Sequence, residues 1–186
     1  MGSQPSLKGG GLKEDSKSSW SSDIYEVLKQ TGVKQVAYVP DAGHIQLIRA
    51  CHADSDMKTV SLTTEEEGVG MLAGAWLGGQ RGALLMQSSG VGNCINMFSM
   101  IQECRFPMLV LVTMRGEWGE FNPWQLHMGQ STTRALENAG VVAQRVEQPH
   151  DVRDTVFAAA QMAFSTNRAI AVLIGQRVIG FKDWSK

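Results

Sequence analysis

Apolar and polar positions along this chain fall into two alternating rhythms. In "DIYEVLKQTG", starting at Asp23, Ile24, Val27 and Leu28 recur at helical spacing. Asp23 and Glu26 are placed like a capping box, and Gly32 supplies a stop. "QVAYV" then reads as a buried strand running into the turn "PDAG". "HIQLIRACH" predicts a helix, "KTVSL" a short strand, and Thr64 to Gly78 a further helix. "GALLMQ" is a strand, followed by the loop "SSGVGN" and the helix "CINMFSMIQEC". After Pro107 come the strand "MLVLVTM" and a long polar and aromatic loop, "RGEWGEFNPWQLHMG". The remainder alternates helix "STTRALENAG", strand "VVAQRV", helix "HDVRDTVFAAAQMAFST" and strand "AIAVLIG".

Six strands alternating with helices, without an internal repeat, predict an α/β fold. A single domain holds a mainly parallel six-stranded sheet with helices on both faces. Ligands in such sheets sit beyond the carboxyl ends of the strands. Asp41, Glu65, Gln87 and Arg115 each stand just past a predicted strand end and become the first candidates.

Composition narrows the function classes. The 17 basic and 18 acidic residues balance, so no basic stripe points to nucleic acid or an anionic membrane. Runs such as "PMLVLVTM" are far shorter than a membrane span. Cys51, Cys94 and Cys104 have no metal-like spacing and read as reduced thiols, which implies a cytoplasmic protein and no metal site on this chain. Residues 1–20 are rich in Gly, Ser and Lys and lack an apolar signal core, so they read as a disordered tail or a vector-derived remnant.

The stretch "TTEEEGVGMLAGAWLGG" is the most unusual. Each interior glycine of a helix costs about 1 kcal/mol relative to alanine, so its tertiary surroundings must require Gly68, Gly70 and Gly74. Gly70, Gly74 and Gly78 share one face, open either to tight packing on the sheet or to close approach of another helix or a ligand. Glu65, Glu66 and Glu67 favour a helix start electrostatically, which by itself describes a solvated cap. "QSSGVGN", Gln87 to Asn93, is a donor-rich turn, yet no GxxxxGK[ST], GxGxxG or GxSxG pattern accompanies it. His44 and His127 stand out from the other histidines because they fall in loops at the ligand end.

"YVPDAGH", "TTEEEGVGMLAGAWLGGQRGALLMQSSGVGNCIN" and "MRGEW...MGQ" resemble, in order and spacing, the pyrimidine-binding domain of thiamine diphosphate enzymes. The nearest likeness is to sulfopyruvate decarboxylase alpha subunits and to phosphonopyruvate decarboxylases. It covers about Asp23 to Gly180 and implies that residues 21–186 are a pyrimidine-binding (Pyr) domain. The family places a glutamate just past a strand, with a small residue three positions later and a glycine nine positions later. Glu65, with Gly68 and Gly74, fits that spacing. The resemblance thus implies that Glu65 hydrogen-bonds N1′ of the aminopyrimidine, and that Gln87, Ser88, Gly90 and Gly92 pack against the cofactor.

By the same resemblance, Asp41 and His44 manage protons, and Arg115 and His127 meet the substrate. Arg115 has a plain alternative role as a structural loop bond. The chain contains no GDG, so Mg²⁺ and the diphosphate are expected on a separate beta subunit carrying GDG and a downstream Asn. The complex is then a heterotetramer or larger. The expected reaction is decarboxylation of an anionic 2-oxo acid, with sulfopyruvate or phosphonopyruvate as models. "VPDAGH" departs from some sulfopyruvate enzymes, which carry Cys and Asn at these places, and "LHMGQ" has His127 where Pro is common. An acetolactate synthase-like carboligase half and a non-catalytic partner domain are the two rival functions.

Overall fold

A computed structural model describes residues 19–180 of the chain. The elements alternate strictly at first: α1 Trp20–Gln30, β1 Val33–Tyr38, α2 Ile45–Ala53, β2 Lys58–Ser61, α3 Glu65–Leu77 and β3 Arg81–Gln87. Then follow α4 Ser88–Cys94, α5 Phe98–Cys104, β4 Met108–Thr113, α6 Leu126–Asn138, β5 Val142–Val146, α7 Val152–Thr166, β6 Ala169–Ile174 and the short α8 Gln176–Ile179. The strands form one six-stranded sheet of order β2-β1-β3-β4-β6-β5. Every pairing is parallel, as the alternating pattern predicted.

The sheet is covered on both faces, and the pleat explains how. In β4, Leu109 and Leu111 join a core with Ile24, Val27 and Leu28 of α1, Leu47 of α2 and Val156 of α7. Met108, Val110 and Val112 point the other way, into a core with Val69 of α3, Val91 of α4, Phe98 of α5 and Leu136 of α6. All six residues of β4 and of β6 are buried, which is why these strands read as unbroken apolar runs.

Three local readings change. Helix α1 begins at Trp20, and the Ser19 side chain accepts from Ser22 N at 3.3 Å, so Ser19 and not Asp23 is its cap. The last two residues assigned to the tail therefore belong to the helix start, while residues 1–18 lie outside the described residues. "SSGVGN" is not a loop, because α4 starts at Ser88 directly after β3 and ends at Cys94, where a turn separates it from α5. The long loop after β4 also ends early. A 3-10 turn at Pro123–Gln125, capped by Asn122 Oδ1 accepting from Trp124 N at 3.1 Å, leads into α6 at Leu126.

The glycines of α3 divide into two sets. A methyl group on Gly68 would stand 2.5 Å from Leu84 Cδ1 and 2.9 Å from Leu62 Cδ1, so this glycine lets the helix lie close on the sheet. Gly70 and Gly74 have open space where a Cβ would go, and both are exposed beside Leu77, which is 88% exposed. Past its acidic first turn the helix is apolar all round, yet its outer face has no cover among the described residues.

Candidate active site

The carboxyl ends of β1 to β4 converge on two neighbouring groups of polar residues. The first is built where α3 meets α4. Glu65 is the first residue of α3 and is 6% exposed. Its Oε2 accepts from Asn93 Nδ2 at 2.7 Å. A Cβ on Gly90 would lie 2.5 Å from Glu65 Cδ and 2.6 Å from Cγ, so only glycine leaves room for this carboxylate. Gly92 is different, since a Cβ there would only touch Met128 at 3.5 Å.

The other two glutamates have separate fates. Glu67 Oε2 accepts from the backbone N–H groups of Thr63 (2.9 Å) and Thr64 (3.4 Å), the acidic half of a capping box. Glu66 Oε2 is buried without a hydrogen-bond partner among the described residues. Gln87 Oε1, at the end of β3, is buried and unpartnered too. Burial, and after it the charges of Glu65 and Glu66, push the Cys94 thiol up to about 12.

The second group lines a cavity of about 180 Å³ formed by Asp41, Gly43, Thr113, Arg115, Glu120, Phe121 and Gln176, among others. Thr113 Oγ1 donates to Asp41 Oδ2 at 2.5 Å. Arg115 grips Glu120 with two hydrogen bonds, Nε to Oε2 at 2.7 Å and Nη2 to Oε1 at 2.8 Å. Burial alone would raise the Glu120 pKa. The Arg115 bonds and the backbone N–H groups of Asn122 and Gly116 outweigh it and hold the carboxyl at about 2. Glu120 in turn raises the Arg115 pKa. Gln176, 2% exposed, donates to Glu120 Oε2 at 3.1 Å and accepts from the N–H groups of Glu117 and Trp118, both at 2.9 Å.

Of the residues chosen from sequence, Asp41 and Arg115 meet in the cavity, and Glu65 and Gly90 meet at the α3–α4 contact. Gln87 and Thr113 are register partners in β3 and β4. Ser88 is fully buried and acts on the backbone, its Oγ accepting from Arg115 N at 3.1 Å. His44 is fully buried; its Nε2 faces Leu111 O at 3.1 Å, and its Nδ1 has no partner among the described residues. Burial lowers the His44 pKa, with Asp41 and backbone carbonyls opposing, so the ring is neutral behind the cavity. His127 is exposed on the first turn of α6, not in a loop, and does not line the cavity.

Asn93, Glu120 and Gln176 were not anticipated. Glu120 stands five residues after Arg115, a spacing visible in the sequence, whereas Gln176 is brought in only by the β4–β6 pairing.

Residues 19–129 match the family described as thiamine pyrophosphate enzyme, N-terminal TPP binding domain. The chain belongs to that family. Sulfopyruvate decarboxylase subunit alpha of Methanococcus maripaludis is 32% identical over 155 residues, 83% of this chain and 93% of that protein. The same subunit of Methanothermobacter thermautotrophicus is 30% identical over 155 residues, 83% of this chain and 94% of that one. Phosphonopyruvate decarboxylase of Streptomyces viridochromogenes is 33% identical over 147 residues, which are 78% of this chain and 37% of the longer relative. Among solved structures, 2-oxoglutarate:ferredoxin oxidoreductase from Magnetococcus marinus superposes on 87% of this chain and 29% of its own, with a TM-score of 0.69 at 14% identity. That likeness concerns the fold alone. Among the described residues, no helix is long and apolar enough to cross a membrane.

Proposed function

We propose that the chain is the aminopyrimidine-binding subunit of a thiamine diphosphate-dependent decarboxylase. Its substrate would be a 2-oxo acid bearing a second anionic group, and a partner subunit would hold Mg²⁺ and the diphosphate. The observation that carries this reading is the buried carboxylate at the start of α3, seated in a space that only Gly90 leaves open. The residues present suit an aminopyrimidine, whose amino group, and whose ring nitrogen once it carries the shared proton, need acceptors: Glu65, the unpartnered Glu66 Oε2 and the unpartnered Gln87 Oε1 are all acceptors. When bound, thiamine diphosphate supplies a nucleophilic carbon and an electron sink for loss of carbon dioxide.

A carboxylate of the Glu65–Glu67 run shares a proton with N1′, and the sequence spacing selects Glu65 for it. Asp41, lining the cavity, exchanges protons with the reacting substrate, and His44 supports it from behind. Arg115 meets the substrate's distal anion with Nη1, the part of its guanidinium not bonded to Glu120. The near-full-length match to proteins called subunit alpha supports a separate partner. So does the uncovered apolar face of α3.

The test is carbon dioxide release from sulfopyruvate, phosphonopyruvate and pyruvate, with thiamine diphosphate and Mg²⁺, by the chain alone, by a partner subunit bearing GDG, and by both. Turnover is expected only from the mixture. Turnover by this chain alone would sink the split-enzyme reading, and condensation of two pyruvates without aldehyde release would favour the carboligase.

A further inference from the structure

The loop after β4 is tied to the short helix α8 through one buried side chain. Gln176, the first residue of α8, is 2% exposed and uses both ends of its amide. Its Oε1 accepts from the backbone N–H groups of Glu117 and Trp118, both at 2.9 Å, and its Nε2 donates to Glu120 Oε2 at 3.1 Å. These partners fix the orientation of the amide, because a flipped Gln176 would set its NH₂ against two donors and its oxygen against a carboxylate. The backbone N–H of Gln176 donates to Glu117 Oε2 at 3.3 Å, and the Arg177 guanidinium lies 5.0 Å from the centre of the Trp118 ring, so α8 holds the loop at several points.

Glu120 is the centre of this clamp. Its side chain is 2% exposed, and besides Gln176 it accepts from Arg115 Nε and Nη2, from Asn122 N at 3.0 Å and from Gly116 N at 3.3 Å. A carboxylate bonded on both oxygens in this way has little freedom to swing, and the planar guanidinium that it grips has its orientation set with it. Nη1 takes no part in the grip. Arg115, Glu120 and Gln176 all line the cavity. The Arg115–Glu120 pair is neutral as a unit, so what it offers an anion is the direction of its guanidinium donors and not net charge.

Resting on the reading above, we infer that Gln176 and Glu120 are specificity-determining positioning residues. They hold the Arg115 guanidinium so that the enzyme prefers 2-oxo acids with a second anionic group over those without one. Neither residue has to touch the reacting atoms. An unclamped arginine would lose side-chain freedom at each binding event, a cost that the clamp has already met in the free protein.

Two variants test this in the complex with the partner subunit. Gln176→Met keeps the length and neutrality of the side chain but removes both ends of the clamp. It should raise KM for sulfopyruvate and phosphonopyruvate about tenfold or more, the order of one hydrogen bond to a charged group. The constant with which pyruvate competes, and kcat, should stay within about twofold of wild type. Glu120→Gln separates positioning from masking: if Glu120 only screened Arg115, its neutralisation would tighten sulfopyruvate, whereas loss of positioning weakens it. Tighter sulfopyruvate binding in Glu120→Gln would overturn the inference. So would a wild-type KM in Gln176→Met, or an equal shift for sulfopyruvate and pyruvate in either variant, which loop packing alone would give. Exchange of the Arg115 Nε–H with solvent, followed by heteronuclear NMR on the uncomplexed chain, judges the clamp without turnover. It should be slow in wild type and about tenfold or more faster in Gln176→Met, as local opening becomes easier; an unchanged rate would overturn the clamp. Failure of the wild-type complex to decarboxylate any of the three acids would instead remove the decarboxylase reading and leave the exchange result standing.

Discussion

Gly90→Ala separates the stability of the fold from the placement of its carboxylate. The added methyl would sit 2.3 Å from Glu65 Oε1 and 2.5 Å from Cδ, and ordinary contact begins at 3.4 Å, so the carboxylate must retreat by about 1.1 Å. Everything the methyl meets first belongs to the Glu65 side chain, whose end can swing, and none of it is backbone. Overpacking of this kind costs about 1–3 kcal/mol. Replacing a helical glycine by alanine returns up to about 1 kcal/mol. The net loss is between about 0 and 3 kcal/mol, a fall of at most about 12 °C in melting temperature for a chain of this size. Activity should suffer far more, because a displacement near 1 Å at a reacting group costs about a hundredfold. It would also break the Asn93 bond. Differential scanning fluorimetry of the isolated chain and carbon dioxide release by the complex read the two effects. Activity within threefold of wild type, at the same melting temperature, would show that this corner is not at the chemistry.

Gly74→Ala should behave in the opposite way: its Cβ enters open space, so the isolated chain gains up to about 1 kcal/mol, while sedimentation with the partner subunit shows weaker assembly. Unchanged assembly would mean that the outer face of α3 stays uncovered in the complex. The Glu120 carboxyl, held at about 2 against a usual 4.5, contributes stability that is complete above pH 4.5 and is lost as pH falls through 2. Wild-type melting temperature should therefore drop across that interval, and Glu120→Gln should start lower at pH 7 and drop less. Part of the slope remains in the variant because Asp54, held at about 2 by the Asp56 backbone N–H, Tyr25 and Lys29, titrates in the same interval. A variant as steep as wild type would remove Glu120 from the account.

The strands were legible because a parallel sheet buried on both faces writes each strand as a short apolar run, "MLVLVT" and "AIAVLI" being fully buried. The four strand-end candidates followed from that alone. Glycine misled at α4. Gly90 and Gly92 suggested a flexible turn, but α4 keeps its helix because Gly90 is required by the Glu65 side chain, a tertiary demand that propensity does not carry. His127 was placed in a loop for a similar reason: the Asn122 cap and Pro123 start a 3-10 turn whose continuation into α6 looks polar and irregular in sequence. Glu65 was selected by a spacing rule, yet the contrast between a partnered Glu65 and an unpartnered Glu66 depends on Asn93, a position that no local pattern marks.

The central claim is that the acids beginning α3 activate thiamine diphosphate, and exchange of the cofactor's C2 proton with deuterium measures that step directly, before any substrate chemistry. In the assembled complex, quenched-flow NMR should find exchange slowed by about a hundredfold or more when Glu65→Gln and Glu66→Gln are combined. Glu67→Gln, which touches only the helix cap, should leave it near the wild-type rate. Wild-type exchange in the double variant, with cofactor still bound, would contradict the account.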